Sequence, residues 1–255
     1  MNQYSISIIT ITYNSEKHLE QTIQSIINQT YKIIQYIIID GGSTDSTLDI
    51  IKKYADNISY WISEPDKGIA DAMNKGLKIA QGDYVLFLHS DDYLENENAI
   101  ENASQFLDRD HEIFLFNLYY SDNSHKSLVK PRGLGWWTNI KTGVLHQSVL
   151  CSKTLFEKIG DFDTNFKIAM DYDFFLRAYR AGVKAKHINF TLSVMRKTGV
   201  SSRLDWPSLK ERFAEERQIH KKNCHNILMR FLYQVYWSIY IPYRYSLYRT
   251  GRSKK

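Results

Sequence analysis

Runs of β-branched and aromatic residues recur through the first third of the chain, at Ser5–Thr12, Tyr36–Asp40 and Tyr84–Leu88. Each reads as a buried strand, and a shorter one fits 58–62. Between the strands the apolar period lengthens. Leu19, Ile23, Ile26 and Ile27 share one helical face over 16–28, with Ser15 as the expected N-cap. Leu48, Ile51 and Tyr54 mark a second helix, 69–81 a third and 96–107 a fourth. Strand and helix alternating at this spacing predict an α/β fold of parallel strands joined by right-handed crossovers. Ligands of such sheets sit at the carboxyl ends of the strands. Those ends deliver Thr12-Tyr13-Asn14, Asp40 and Asp91-Asp92 to one edge.

Composition narrows the class. The 255 residues are 43% hydrophobic and 24% charged, which fits one globular domain with an appended tail and excludes a disordered chain, a collagen-like repeat or a small disulfide scaffold. Cys151 and Cys224 are the only cysteines, without C-x-x-C spacing; two separate buried thiols and a single disulfide both fit the sequence. The opening Met1-Asn2-Gln3-Tyr4 lacks a basic n-region and an apolar h-region, so a cytoplasmic location is expected. Charge is uneven: residues 205–255 carry eleven Lys or Arg against four acids, whereas the remainder carries 22 against 24.

Two adjacent carboxylates at the end of an apolar strand need a reason. Asp91 or Asp92 could cap the helix expected at 96–107; alternatively, the repulsion between them is relieved by a divalent cation, Mg²⁺ or Mn²⁺, which oxygen ligands suit. Asp40 admits a similar pair of readings, as the residue that starts and caps the 43–47 turn or as an acceptor for a nucleobase N–H or a ribose hydroxyl. Gly41-Gly42 is neither a G-x-G-x-x-G fingerprint nor part of a P-loop.

The series Ser7–Asn14, Ile39–Asp45 and Ser90-Asp91-Asp92 resembles the family 2 glycosyltransferases, and Ser63–Gly76 is similar to the subgroup that builds colanic acid, O-antigen and other bacterial surface polysaccharides. The likeness runs in order over roughly 5–202. It implies the GT-A fold, a Rossmann-like, mostly parallel sheet flanked by helices. It further implies a transferase domain over 1–204, with a nucleotide-binding half of about 1–95 and an acceptor half of about 96–204, followed by a helical tail over 205–255. Under the resemblance Thr12, Tyr13, Asn14 and Asp40 hold the nucleoside, Lys67 and Gly68 lie near the nucleotide, Asp91 approaches the ribose or diphosphate, and Asp92 binds Mn²⁺ or Mg²⁺. The chain has Ser90-Asp91-Asp92 in place of a strict Asp-x-Asp.

Asp171 aligns with the family's catalytic base, in Met170-Asp171 where the common pair is Glu-Asp. Asp171 and Asp173 are i, i+2 at a helix start, so only one of them can face the cleft. His146-Gln147 lies in a stretch the subgroup shares, as a contact for the donor diphosphate or the acceptor; a structural histidine is the other reading. Lys197–Ser201 resembles the family's segment after the base, a lid or a plain surface loop, and Trp137 beside Trp136 could stack on sugar or pack at the rim. The implied reaction is inverting transfer from a nucleotide-diphosphate sugar, a UDP-sugar first, to a hydroxyl of a glycan, in particular a polyprenyl-diphosphate-linked one.

The tail carries nine Lys or Arg and no acid after Glu216, around the aromatic run Phe231–Tyr243. Its thirteen residues are short of the ~20 needed to span a bilayer. It suits either the headgroup region at the inner face of the cell membrane or a helix packed on the domain or on another copy; no nucleic-acid-binding motif supports a third reading. Among rival functions, a sugar nucleotidyltransferase would want a Gly-rich, Arg-containing loop where Thr12–Glu16 stands, and a non-catalytic scaffold predicts loss of Asp91-Asp92 or of Asp171, all of which are present.

Overall fold

The computed structural model describes residues 3–122, 125–197, 203–224 and 226–250. The strands are β1 (Ile6–Thr12), β2 (Ile34–Asp40), β3 (Tyr60–Ser63), β4 (Tyr84–Phe87), β5 (Tyr93–Leu94), β6 (Ile113–Ser121), β7 (Lys126–Val129), β8 (Val149–Ser152) and β9 (Ala185–Arg196). The helices are α1 (Leu19–Ile27), α2 (Thr47–Lys53), α3 (Ile69–Ile79), α4 (Ala99–Ser104), α5 (Lys153–Ile159), α6 (Met170–Arg180), α7 (Trp206–Asn223) and α8 (Ile227–Arg249). They build the expected α/β architecture on one sheet of order β3-β2-β1-β4-β8-β6-β9-β5, with β7 on the side of β6.

The β-branched runs are apolar throughout because both faces of the sheet are covered. Ile9, Ile11, Ile37, Ile39, Val85 and Phe87 point into a core shared with α3, α5 and α6. Their alternates, among them Ile6, Ile8, Ile38 and Leu86, point into a second core under α1, α2 and α4. This is the period-2 partition of a doubly covered sheet. At Gly76 a Cβ would lie 2.4 Å from Ile9 Cγ2, so glycine sets how closely α3 approaches β1.

The sheet is wholly parallel in its first half, β3-β2-β1-β4, and mixed in its second. From there β8 runs antiparallel to β4 and β6 antiparallel to β8, while β9 is parallel to β6 and antiparallel to β5. The helix expected at 16–28 starts three residues late, at Leu19. Ser15 does not cap it: its hydroxyl contacts Tyr13 O at 3.3 Å and Ser90 Oγ at 2.8 Å. The helix expected at 96–107 is reduced to α4, and the short strand β5 separates it from Asp91-Asp92. Cys151 and Cys224 are both buried free thiols.

Helices α7 and α8 pack on the body through α6. Glu215 of α7 accepts hydrogen bonds at 2.8–2.9 Å from the backbone N–H groups of Lys167, Ile168 and Ala169, fixing the turn that leads into α6. A polar chain then ties both helices down. Trp237 Nε1 donates to His220 Nδ1 at 2.9 Å, which leaves His220 Nε2 to donate to Tyr172 Oη at 2.7 Å; that hydroxyl donates to the Asn139 carbonyl at 3.1 Å. His220 also stacks on Tyr233 with ring centroids 3.9 Å apart.

Candidate active site

A cleft of about 440 Å³ opens at the carboxyl ends of β1 and β4 and is closed on its far side by the start of α6. Thr12, Tyr13, Gly68, Asp91, Asp92, His146, Gln147 and Asp171 all line it. Residues up to 159 positions apart in sequence are thus gathered about one space. Asn14, Asp40, Lys67, Trp137 and Lys197 are not among its lining residues.

The residues outside the lining have visible partners or positions. Asp40 is fully buried: one carboxylate oxygen accepts from Gly42 N, Ser43 N and Ser63 Oγ, and the other from Ser43 Oγ at 2.5 Å. Asn14 adopts φ 48°, a left-handed conformation that Asn tolerates, and accepts from Thr44 N at 2.9 Å. Asn14 thus ties the end of β1 to the turn after β2, and Asp40 ties that turn to the end of β3. Lys67 N donates to Asp71 at 3.0 Å, and Gly68 opens α3 at φ 115°, a value favouring glycine. Trp137 is exposed and edge-on to Trp136. Lys197 pairs with Asp122 at 3.6 Å, and 198–201 lie outside the described residues.

Asp92 is 1% exposed and accepts from Arg196 N at 3.1 Å, so it caps no helix. Burial, and then the neighbouring Asp91, push its carboxyl well above the usual carboxylate range, with Arg196 and Gln147 pulling the other way. A cation would restore the charged form. The donors fit an oxygen-preferring ion: two adjacent carboxylates, with Thr12 Oγ1 and Gln147 Oε1 buried in the same cleft without a hydrogen-bond partner. Among the described residues there is no group of three acidic, His or Cys side chains able to hold a metal alone, so further ligands would come from substrate or water. Arg196, which the sequence reading did not single out, fixes this turn. Its guanidinium donates to the Asp91 carbonyl and to Gln21 and lies over Tyr93.

Across the cleft, Asp171 Oδ2 lies 3.5 Å from His146 Nδ1, and His146 Nε2 is 2.6 Å from His89 Nε2. His89 was also missed; its position just before Ser90-Asp91-Asp92 at the end of β4 was the available signal. Burial, and secondarily His146, drive the His89 pKa well below 6.5, so this ring is neutral. Two imidazole nitrogens at this distance share one proton. If His89 donates it, His146 Nδ1 carries the other proton and faces the Asp171 carboxylate at 3.5 Å, in proximity but without a formed hydrogen bond. Asp173 points the opposite way, fully buried against Arg177 at 2.8 Å and Lys222 and Asn223 at 3.0 Å.

Residues 7–180 match the family model Glycosyl transferase family 2. The chain belongs to this family. It is 31% identical over 236 residues to UDP-Glc:alpha-D-GlcNAc-diphosphoundecaprenol beta-1,3-glucosyltransferase WfaP of Escherichia coli, covering 90% of this chain and 92% of WfaP. In fold it is similar to S. aureus TarS 1–349 in complex with UDP-GlcNAc, at TM-score 0.69, 24% identity and coverage of 87% and 68% of the two chains. Against the longer TarS chain the TM-score is 0.68 at 22% identity; the match covers 84% of this family 2 chain and only 39% of TarS. The mannosyltransferase PcManGT of Pyrobaculum calidifontis, in complex with GDP-Man and Mn²⁺, matches at TM-score 0.68 and 16% identity, over 96% and 72%. The fold is therefore that of the GT-A transferases, with a C-terminal helical extension.

Proposed function

We propose that this glycosyltransferase inverts configuration while moving a sugar from a nucleotide-diphosphate donor, a UDP-sugar first, to a hydroxyl of a polyprenyl-diphosphate-linked glycan during bacterial surface polysaccharide synthesis. The observation that carries the reading is one cleft with Asp91-Asp92 on one wall and Asp171 on the other, lined by polar atoms that no protein group satisfies. The acceptor class rests on the likeness to WfaP over nearly the whole chain.

Thr12, Tyr13 and Gly68 hold the nucleoside end, with Asn14, Asp40 and Lys67 shaping the wall behind it. Asp91 reaches the ribose or diphosphate. Asp171 takes the proton of the acceptor hydroxyl, which attacks the anomeric carbon opposite the departing nucleotide diphosphate, so one displacement inverts the centre. His146 orients Asp171, and Gln147 faces the diphosphate. A divalent cation bound through Asp92, when present, stabilises the charge gathering on the leaving phosphate. The acceptor class brings the enzyme to the inner face of the membrane.

The test is binding of UDP-, GDP- and dTDP-sugars to the purified chain by calorimetry, with and without Mn²⁺. Metal-enhanced binding of one nucleotide class is expected. Absence of binding by a folded sample to any donor would overturn the catalytic reading in favour of a scaffold.

A further inference from the structure

Helix α8 has two apolar faces, and only one is used. Tyr233 and Trp237 are buried against Leu209 and Phe213 of α7, with Tyr236 and Tyr240 packed alongside. On the opposite side Leu228, Phe231, Leu232, Val235, Ile239 and Tyr243 recur at helical spacing and are 38–65% exposed. Exposure of one such residue is ordinary; a stripe of six along a helix is an interaction surface.

Beside that stripe, α7 and α8 enclose a cavity of about 830 Å³, larger than the candidate active site. Tyr233 and Trp237 line it, and Arg217, Lys221 and Arg230 stand around it with no acidic side chain in its lining. All three cations are exposed, and the sequence has no acid beyond Glu216 to neutralise them. Among the described residues no helix is long and apolar enough to cross a membrane.

We infer that the α7–α8 surface docks onto an anionic phospholipid bilayer, the α8 stripe entering the headgroup boundary and Arg217, Lys221 and Arg230 meeting lipid phosphates. Charge complementarity selects this occupant. A second copy placed on the same surface would bring two clusters of exposed cations together, whereas an anionic bilayer supplies their counter-charge and an apolar layer for the stripe. The inference deepens the lipid-linked acceptor reading and rests on it for its purpose, but vesicle binding needs no donor or acceptor.

The test is co-sedimentation of the full chain with vesicles of phosphatidylcholine alone or mixed with phosphatidylglycerol, alongside UDP-sugar binding by the same samples. Binding to the mixed vesicles only, weakened by salt, is expected. Replacing the cations together (R217Q, K221Q, R230Q) should lower that binding on the order of a hundredfold. Phe231→Ser with Ile239→Ser should also reduce it, with the circular dichroism spectrum and Tm retained. Equal binding to both vesicles, binding to neither, or a dimer that F231S/I239S turns monomeric would overturn the inference. Vesicle binding without binding of any donor would instead count against the transferase reading alone.

Discussion

Asp171 and Asp173 are two residues apart on α6, and His146 and His220 both touch that helix, yet the two sides of it are built on opposite terms. On the inner side Asp171 borders an open cleft, and Thr12 Oγ1, His89 Nδ1, His146 Nδ1 and Gln147 Oε1 are buried without hydrogen-bond partners. On the outer side Asp173 accepts from Arg177, Lys222 and Asn223, and both nitrogens of His220 are engaged. Buried polar groups are normally satisfied. Asp173 and His220 obey that rule and hold α7 in place, although Glu216 Oε2 of α7 is also buried without a partner; the unsatisfied atoms of the inner side gather at the cleft. Burial and residue type alone would not separate the two.

The sharpest way to break this comparison is to neutralise each aspartate. Asp171→Asn should lower kcat by about 10²–10⁴-fold while leaving the donor Kd unchanged. Asp173→Asn should instead cost roughly 2 kcal/mol of stability in urea unfolding and spare the rate of the folded fraction. Equal losses of rate in the two variants would erase the distinction. Asp92→Asn removes a carboxylate that burial disfavours, so Tm should hold or rise, while Mn²⁺-dependent donor binding by calorimetry falls at least about tenfold.

His220→Phe leaves Trp237 N–H and the Tyr172 hydroxyl without their ring partner and should destabilise by about 1–3 kcal/mol. Burial pushes the His220 pKa down from 6.5 to about 3. The unfolded state therefore binds the extra proton between those values, and wild-type stability is lost as pH falls through that window, at about 1.4 kcal/mol per unit. Urea titrations at pH 7.5 and pH 5 should show a smaller acid loss in the variant, the difference being about 2 kcal/mol. The smallest effect is expected for Glu215→Gln. It weakens the hold on the turn entering α6 by about 1 kcal/mol and should appear as a lower kcat at unchanged donor Kd, since that turn positions Asp171 and is remote from Thr12 and Tyr13 in the chain.

The comparison also bears on what was legible beforehand. The strand ends carrying Thr12, Asp40 and Asp91-Asp92 stood out because apolar runs broke there into polar residues, and the i, i+2 spacing of Asp171 and Asp173 already required them to diverge. Ser15 misled because a serine before an apolar-periodic segment is the usual cap signal, whereas here its hydroxyl contacts Ser90, 75 positions away. The mixed second half was not legible. Residues 110–150 lack strong patterning, and β6, β8 and β9 are paired by contacts distant in sequence. His89 and Arg196 were missed for the same reason: one meets His146 57 positions on, the other Asp92 104 positions back.

The sequence by itself determined the alternation of strands and helices, the sheet edge at which Thr12, Asp40 and Asp91-Asp92 gather, and the cationic, aromatic character of the last fifty positions. These are properties of a residue and its near neighbours, because helical and strand periods translate directly into which faces meet solvent. Tertiary structure alone decided that Asp40 turns inward to satisfy backbone N–H groups, that two histidines line up behind Asp171, and that α8 keeps one apolar face uncovered. Whether a polar atom is satisfied, or an apolar face covered, depends on which remote segment the folded chain brings against it, and no local pattern records that encounter.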